Sequence, residues 1–377
     1  MARWAVLITA AAVLAGGWPA AAGEQSMTVY VGTYSQRGSR GIYVLKLDGA
    51  TGTLTDTGLA QAAHNPSYLA VHPGGKFLYC VNEDGGKAHG GVTAFAIDPD
   101  TGGLSELNRV SSEGDGPCYV SLDATGRQAL VANYGSGHVA ALPVGPDGRL
   151  GAATAVVHHQ GQGANPQRQE HAHAHSIRVD PTNRFIFACD LGLDQIRSYR
   201  LDLAGGTLAP NDPPAFAAAP GAGPRHLDWH PNGQLAFVID ELDNTLMSLR
   251  YDAAKGALTP IQTVGTLPAD FHGRSSCADV HVHPNGRFVY GSNRGHDSLV
   301  VYAVDPDSGR LTYVQHVSSG GRTPRGFVID PSGRWLLAAN QDSDNVVVFA
   351  IDAAGGQLTT TGQSLHLPAP VCLKVKP

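Results

Sequence analysis

The sequence predicts an all-β fold, a seven-bladed β-propeller, on three observations. First, a strand–turn–strand unit recurs without gaps as Pro66 to Glu83, Pro117 to Tyr134, Ala174 to Leu191, Pro224 to Glu241, Cys277 to Arg294 and Pro324 to Gln341. Second, its turn positions (Pro73, Ala124, Pro181, Pro231, Pro284 and Pro331) lie 51, 57, 50, 53 and 47 residues apart. Such a period marks a propeller or a solenoid, and short strands with frequent turn signals favour the propeller. Third, a further copy is split between the ends: Pro370 to Pro377 matches a first strand and Met27 to Tyr34 a second strand. Pairing the two would close the ring and remove two exposed sheet edges.

Taken in order, the chain begins MARWAVLITAAAVLAGGWPAAAG. Arg3, the apolar run Ala5 to Ala15 and the small residues before Gly23 read as a secretory leader over residues 1–22, which implies a periplasmic or secreted protein. The apolar run is short for a membrane span. Residues 27–377 then form one propeller domain. Within a unit, His226 to Trp229 alternates into the turn His230-Pro231-Asn232-Gly233, and Leu235 to Ile239 returns. Proline fixes its own φ and glycine accepts positive φ, so the reversal is cheap. Third and fourth strands follow as Gly91 to Ile97 with Leu104 to Val110, and Leu299 to Val304 with Leu311 to Val317, joined by DPDTGG and DPDSGR.

Composition agrees. Among 377 residues, 47 glycines and 24 prolines accompany an ordinary 42% of hydrophobic residues, which suits a turn-rich β protein rather than disorder. The net charge is −6 and no basic run occurs, so no nucleic-acid partner is expected. No stretch beyond the leader is long and apolar enough for a membrane helix, and the oligomeric state is left open. Cys80, Cys118, Cys189, Cys277 and Cys372 are odd in number, lack CxxC spacing and fall on strand positions. They read as buried apolar residues rather than a disulfide framework.

Comparing the copies separates scaffold from site. Asn82, Asn133, Asp190, Asp240, Asn293 and Asn340 end the second strand in every intact copy. A recurring polar residue there serves the backbone of the turn. The next residue varies: Glu83, Tyr134, Leu191, Glu241, Arg294, Gln341, and Tyr34 in the split copy. So does the second residue of the first strand: Ser67, Cys118, His175, Arg225, Ala278, Arg325 and Val371. Antiparallel pairing puts both positions at one mouth of the channel. His175, Arg225, Arg325, Glu83, Glu241 and Arg294 should converge there, joined by Tyr34, Tyr134 and Gln341. Arginine forks suit a carboxylate or phosphate. A carboxylate, Glu241 or Glu83, would activate water, and His175 would move a proton or face an oxyanion. The bland reading is a water-filled channel whose charges pair to hold the blades.

The longest insertion, His158 to His175, precedes the first strand carrying His175 and should fold over the same mouth, with His173 near the substrate. His171, His173 and His175 have spacing suited to zinc, but no cysteine or acidic partner at characteristic spacing joins them, so no metal and no cofactor is expected. Residues 265–276, with Asp270, His272 and Arg274, form a second candidate lid. His72, His230, His281 and His283 sit near turns and read as packing residues. No GxSxG, P-loop or dinucleotide fingerprint is present.

At these residues the sequence resembles the lactonase-type seven-bladed β-propellers, a family that includes a 6-phosphogluconolactonase and fungal carboxy-muconate cyclases. The resemblance is carried by YVGTY with GIYVLKLD, NPSYLAVHP with GKFLYCVNE, PQRQEHAHAHS, GPRHLDWHPNG with DEL, SNR, and TPRGFVIDPSG, over about residues 27–377. It implies lactone chemistry at the channel mouth, with the family's histidine, arginine, glutamate and second arginine on His175, Arg225, Glu241 and Arg294. The expected activity is hydrolysis of a sugar lactone, phosphorylated or acidic. Glu241 would be the base on water and His175 the donor to the leaving oxygen. Arg325, Glu83, Tyr134, Gln341 and His173 would contact substrate. The alternatives are a non-catalytic binding propeller and a cyclase running the lactone reaction in the forming direction.

Overall fold

A computed structural model describes residues 26–85 and 90–377; the leader read over residues 1–22 lies outside the described residues. The described residues form seven four-stranded antiparallel sheets. The first joins β1 (Ser26–Thr33), β2 (Ile42–Asp48) and β3 (Leu54–Gln61) to the last strand of the chain, β28 (Pro370–Val375). The second contains β4 (Leu69–Val71), β5 (Phe77–Asn82), β6 (Gly91–Ile97) and β7 (Leu104–Ser111), and the third β8 (Pro117–Leu122), β9 (Gln128–Asn133), β10 (His138–Pro143) and β11 (Ala155–His158). The fourth holds β12 (Ala174–Val179), β13 (Phe185–Asp190), β14 (Gln195–Asp202) and β15 (Thr207–Ala217). In the fifth are β16 (Pro224–Trp229), β17 (Leu235–Asp240), β18 (Thr245–Asp252) and β19 (Ala257–Gly265). The sixth is β20 (Ser276–Val282), β21 (Phe288–Arg294), β22 (Ser298–Val304) and β23 (Leu311–Ser318). The seventh is β24 (Pro324–Ile329), β25 (Trp335–Asn340), β26 (Asn345–Ile351) and β27 (Leu358–His366). The split copy closes the ring as read, with Val29 opposite Val375 and Val31 opposite Leu373.

Burial follows strand order. Every residue of β9, β13 and β17 is buried, whereas the outer β23 keeps a single buried residue, Leu311. Apolar side chains fill the spaces between neighbouring blades: Phe288, Tyr290 and Leu299 pack on Phe327, Leu336 and Phe349 of the next. The axis is therefore left to polar groups. Tyr30 donates to the Gly102 carbonyl at 3.0 Å, Tyr79 to Gly148 at 3.0 Å and Tyr290 to Gly356 at 2.9 Å, each tying a second strand to a neighbouring blade's turn. Gly102 has φ 78, which only glycine adopts without cost, and the Asp98 carboxylate accepts the Thr101 N–H at 2.8 Å across the same DPDTGG turn.

The recurring amides bond backbone. Asn82, Asn133, Asn293 and Asn340 donate to the carbonyls of His64, Ser112, Thr266 and Ser319 at 3.0, 3.0, 2.8 and 3.0 Å. Each carbonyl belongs to the segment arriving from the previous blade. All five cysteines are buried and free. His230 and His283 brace turns, donating to Gly286 and Gly333 at 2.7 and 2.8 Å. Among the described residues no helix is long and apolar enough to cross a membrane.

Candidate active site

The second residue of the innermost strand is a bulge residue. In β12, Ala174 faces Asp190 and Ser176 faces Cys189, which leaves His175 without a partner. The same shift leaves out Cys118 in β8, Arg225 in β16, Arg325 in β24 and Val371 in β28, and falls at Ala278 and Asp279 in β20. A bulge re-aims its extra side chain away from the sheet face. Meanwhile Glu241 and Tyr134 leave the ends of β17 and β9, held by N–H bonds to Gly223 and Gly116 at 2.8 and 2.9 Å. The two rows of variable residues meet in a cavity of about 200 Å³ lined by Glu83, Cys118, Tyr134, Arg168, His175, Glu241, Arg294 and Arg325. That is smaller than the ~300–1,000 Å³ pockets of drug-sized ligands and suits a single sugar ring.

Glu241 is the electrostatic centre. Arg168 Nη2 reaches its Oε1 at 2.6 Å, and Arg225 Nε and Arg294 Nη2 both reach Oε2 at 2.9 Å. Burial alone would push this carboxyl up, but Arg294 and Arg225 overcome it and hold it well below the usual carboxylate range. Arg225, 2% exposed, also donates to the Ala278 carbonyl and lies 3.2 Å from His226 Nε2. Its Nε and Nη1 are committed to the protein. His175 Nε2 is 3.9 Å from Glu241 Oε2. Burial, helped by Arg225 and His226, pushes this imidazole well below its ordinary value, so it is neutral at neutral pH.

Glu83 is held differently. Tyr34 donates to its two oxygens at 3.1 and 3.0 Å and Ser67 donates to Oε2. Beside it, the Arg325 guanidinium stacks over the Tyr34 ring at 5.4 Å and, among the described residues, donates no hydrogen bond. Arg294 Nε is likewise buried without a partner. Four guanidiniums therefore surround two carboxylates and a neutral imidazole, and two of the guanidiniums have donors to spare. That excess favours an anionic or carbonyl-bearing ligand.

The lactonase, seven-bladed β-propeller family matches residues 28–375, nearly the whole described chain. The chain belongs to this family. It is 40% identical over 345 residues to a 6-phosphogluconolactonase of Bacillus subtilis, covering 92% of this chain and 97% of that one. A 6-phosphogluconolactonase of Pectobacterium carotovorum is 34% identical over 292 residues, covering 78% of this chain and 82% of the relative. Among solved structures, the Pseudomonas aeruginosa periplasmic gluconolactonase PpgL superposes with a TM-score of 0.88 at 37% identity, covering 94% of this chain and 99% of that one.

For this lactonase-family propeller, the expected residues distribute as follows. His175, Arg225, Glu241 and Arg294 come together, with Glu83, Tyr134 and Arg325 on the same walls. Two expectations are corrected. Gln341 does not line the cavity, because a single 3-10 turn over Gln341–Ser343 carries its amide towards Asp342 at 3.5 Å. His173 does not line it either. It stacks behind Tyr134, ring centroids 4.4 Å apart, and donates from Nδ1 to the Tyr134 carbonyl at 2.8 Å. Asp270, His272 and Arg274 of the second candidate lid are exposed and contribute nothing to the walls. Arg168 was missed: it lies on the insertion, where no repeat copy exists for comparison. Its only signal was being the one arginine of a loop expected over the mouth.

A larger cavity of about 310 Å³ opens at the turn ends of the innermost strands, lined by Tyr68, Tyr119, Arg178, His281 and Lys374 among others. Arg178 pairs with Asp228 at 2.5 Å, His281 Nε2 lies 3.2 Å from Asp279, and Lys374 Nζ donates to the Tyr68 hydroxyl at 3.2 Å. Tyr68 and Tyr119, stacked 4.0 Å apart with the His226 edge against them, form a floor between the two openings.

Proposed function

We propose that the protein hydrolyses a sugar lactone bearing an acidic or phosphorylated group, in the periplasm or outside the cell. The observation that carries this reading is a single-sugar-sized cavity in which the Arg325 guanidinium donates no hydrogen bond to any described residue while standing beside Glu83. The names of the relatives support the reaction class. The leader pattern, with the periplasmic gluconolactonase PpgL as a structural neighbour, supports the location.

In this mechanism the lactone carbonyl sits at the Glu83–Arg325 corner. Glu83 takes a proton from water as the water oxygen bonds to the carbonyl carbon, and Arg325 stabilises the oxyanion. On collapse the ring C–O bond breaks, the proton held by Glu83 passes to the departing oxygen, and the N–H of neutral His175 donates a hydrogen bond to that oxygen. Glu83 is ionised again and the open hydroxy acid leaves. Arg294 and Arg168 hold the acidic group. Glu241 is reassigned from the base expected above to the organiser of the arginines. Three guanidiniums occupy it and hold its carboxyl well below the usual range, whereas Glu83 takes its hydrogen bonds from the Tyr34 and Ser67 hydroxyls.

The test is a pH-stat assay of gluconolactone and 6-phosphogluconolactone hydrolysis with Glu83→Gln. Loss of the base should lower kcat by about 10²–10⁴-fold and leave KM nearly unchanged. Wild-type kcat in Glu83→Gln would remove Glu83 from the base role, and no hydrolysis of any sugar lactone by the wild type would favour a binding propeller.

A further inference from the structure

The histidine-rich insertion contains a second constellation outside the cavity. His175 turns inward, so the three histidines read from the sequence do not meet. Glu170 takes the third place: ligating atoms of Glu170, His171 and His173 all lie within 4.8 Å of one another. Glu170 Oε1 is 3.5 Å from His171 Nε2 and 3.4 Å from His173 Nε2.

The tautomers give this geometry its meaning. His171 Nδ1 lies 2.8 Å from the Ala172 carbonyl, and His173 Nδ1 lies 2.8 Å from the Tyr134 carbonyl. A carbonyl only accepts, so both Nδ1 atoms carry the hydrogen. Each Nε2, the atom left free to ligate, therefore faces the Glu170 carboxylate. One shared metal ion satisfies all three donors. A Nδ1–H bonded to a backbone carbonyl is also the outer-shell arrangement that orients metal-bound histidines. Tetrahedral zinc with ligand bonds of ~2.0–2.1 Å has ligand–ligand edges of about 3.4 Å, which matches the two Glu170 distances.

We propose that Glu170, His171 and His173 bind one divalent transition-metal ion of the zinc class, with the fourth position left to water. The sequence-based expectation of no metal rested on the lack of an acidic partner, and Glu170 is that partner. The ion lies behind Tyr134 rather than in the cavity, so its role is to fasten the segment that carries Arg168. Gln169, adjacent to Arg168, already anchors one side by donating to Leu191 O and Asp194 Oδ1 at 2.8 and 2.6 Å. The metal fastens the other.

The experiment uses the full mature chain, stripped with chelator and dialysed, then titrated calorimetrically with zinc chloride and melted with and without zinc. The variants are Glu170→Gln and His171→Ala, both at exposed positions that should fold normally, with His158→Ala as a histidine control. The wild type and His158→Ala should bind one zinc per chain and melt higher with it. Glu170→Gln and His171→Ala should each bind at least tenfold more weakly and lose the melting shift. Unchanged affinity in both variants, or no saturable binding by the wild type, would overturn the site. These readouts involve no lactone, so they are independent of the proposed activity.

Discussion

At the scale of the residue, the site turns on how two carboxylates are held. Glu241 pairs with Arg168, Arg225 and Arg294, and its removal leaves the buried Arg225 and Arg294 facing each other without their shared counter-charge. Glu241→Gln should therefore cost about 3–5 kcal/mol of stability, read as a lower midpoint in urea, along with activity. A variant of unchanged midpoint would argue against the organising role. Arg168 tests the other end of the network. Its side chain is 41% exposed, so Arg168→Ala should cost under about 1 kcal/mol of stability. It should instead raise KM for a phosphorylated lactone more than for an uncharged one. Equal KM changes for the two substrates would place Arg168 outside substrate binding. Arg168 was also hard to read from sequence for a physical reason. The other residues were found by contrast with their repeat equivalents, and an insertion has none.

At the scale of the element, the innermost strands share a break that the letters of the repeat do not show. Six innermost strands share a register break at the same place, at Cys118, His175, Arg225, Ala278, Arg325 and Val371. Because the extra residue recurs in these copies, they align without gaps and no bulge shows in the letters. The variable position was legible; the reason its side chain reaches the axis was not. Gln341 occupies the right repeat position, but the turn that follows carries it aside. The split blade was legible because both halves keep their strand patterns. Removing residues 370–377 should expose the edge of β1, with backbone donors and acceptors from Val29 to Thr33 unpaired. Size-exclusion chromatography should then find aggregate; a monomeric, cooperatively melting truncation would show that the closure is dispensable.

At the scale of the molecule, the polar axis makes the fold sensitive to acid. Burial pushes His175 well below its ordinary value and takes His226 down to about 3. As pH falls below about 6.5 the unfolded chain gains protons on these histidines while the folded chain does not, so stability drops. Below about 4.5 the same occurs at Glu241, protonated in the unfolded chain but still ionised in the folded one. Asp240, whose carboxyl burial raises, opposes the trend. The melting temperature should decline from pH 7 towards pH 4, starting near 6.5 rather than near 4.5. A flat profile down to pH 5 would mean that the buried imidazoles do not contribute. The register breaks carry one more consequence. A bulge residue adds nothing to the strand pairing around it, so it can change identity while its blade stays folded. Ala278 and Val371 hold small or apolar groups where other blades hold His175, Arg225 and Arg325. Descendants of such a gene can thus alter what they bind one blade at a time, each step passing through a folded protein.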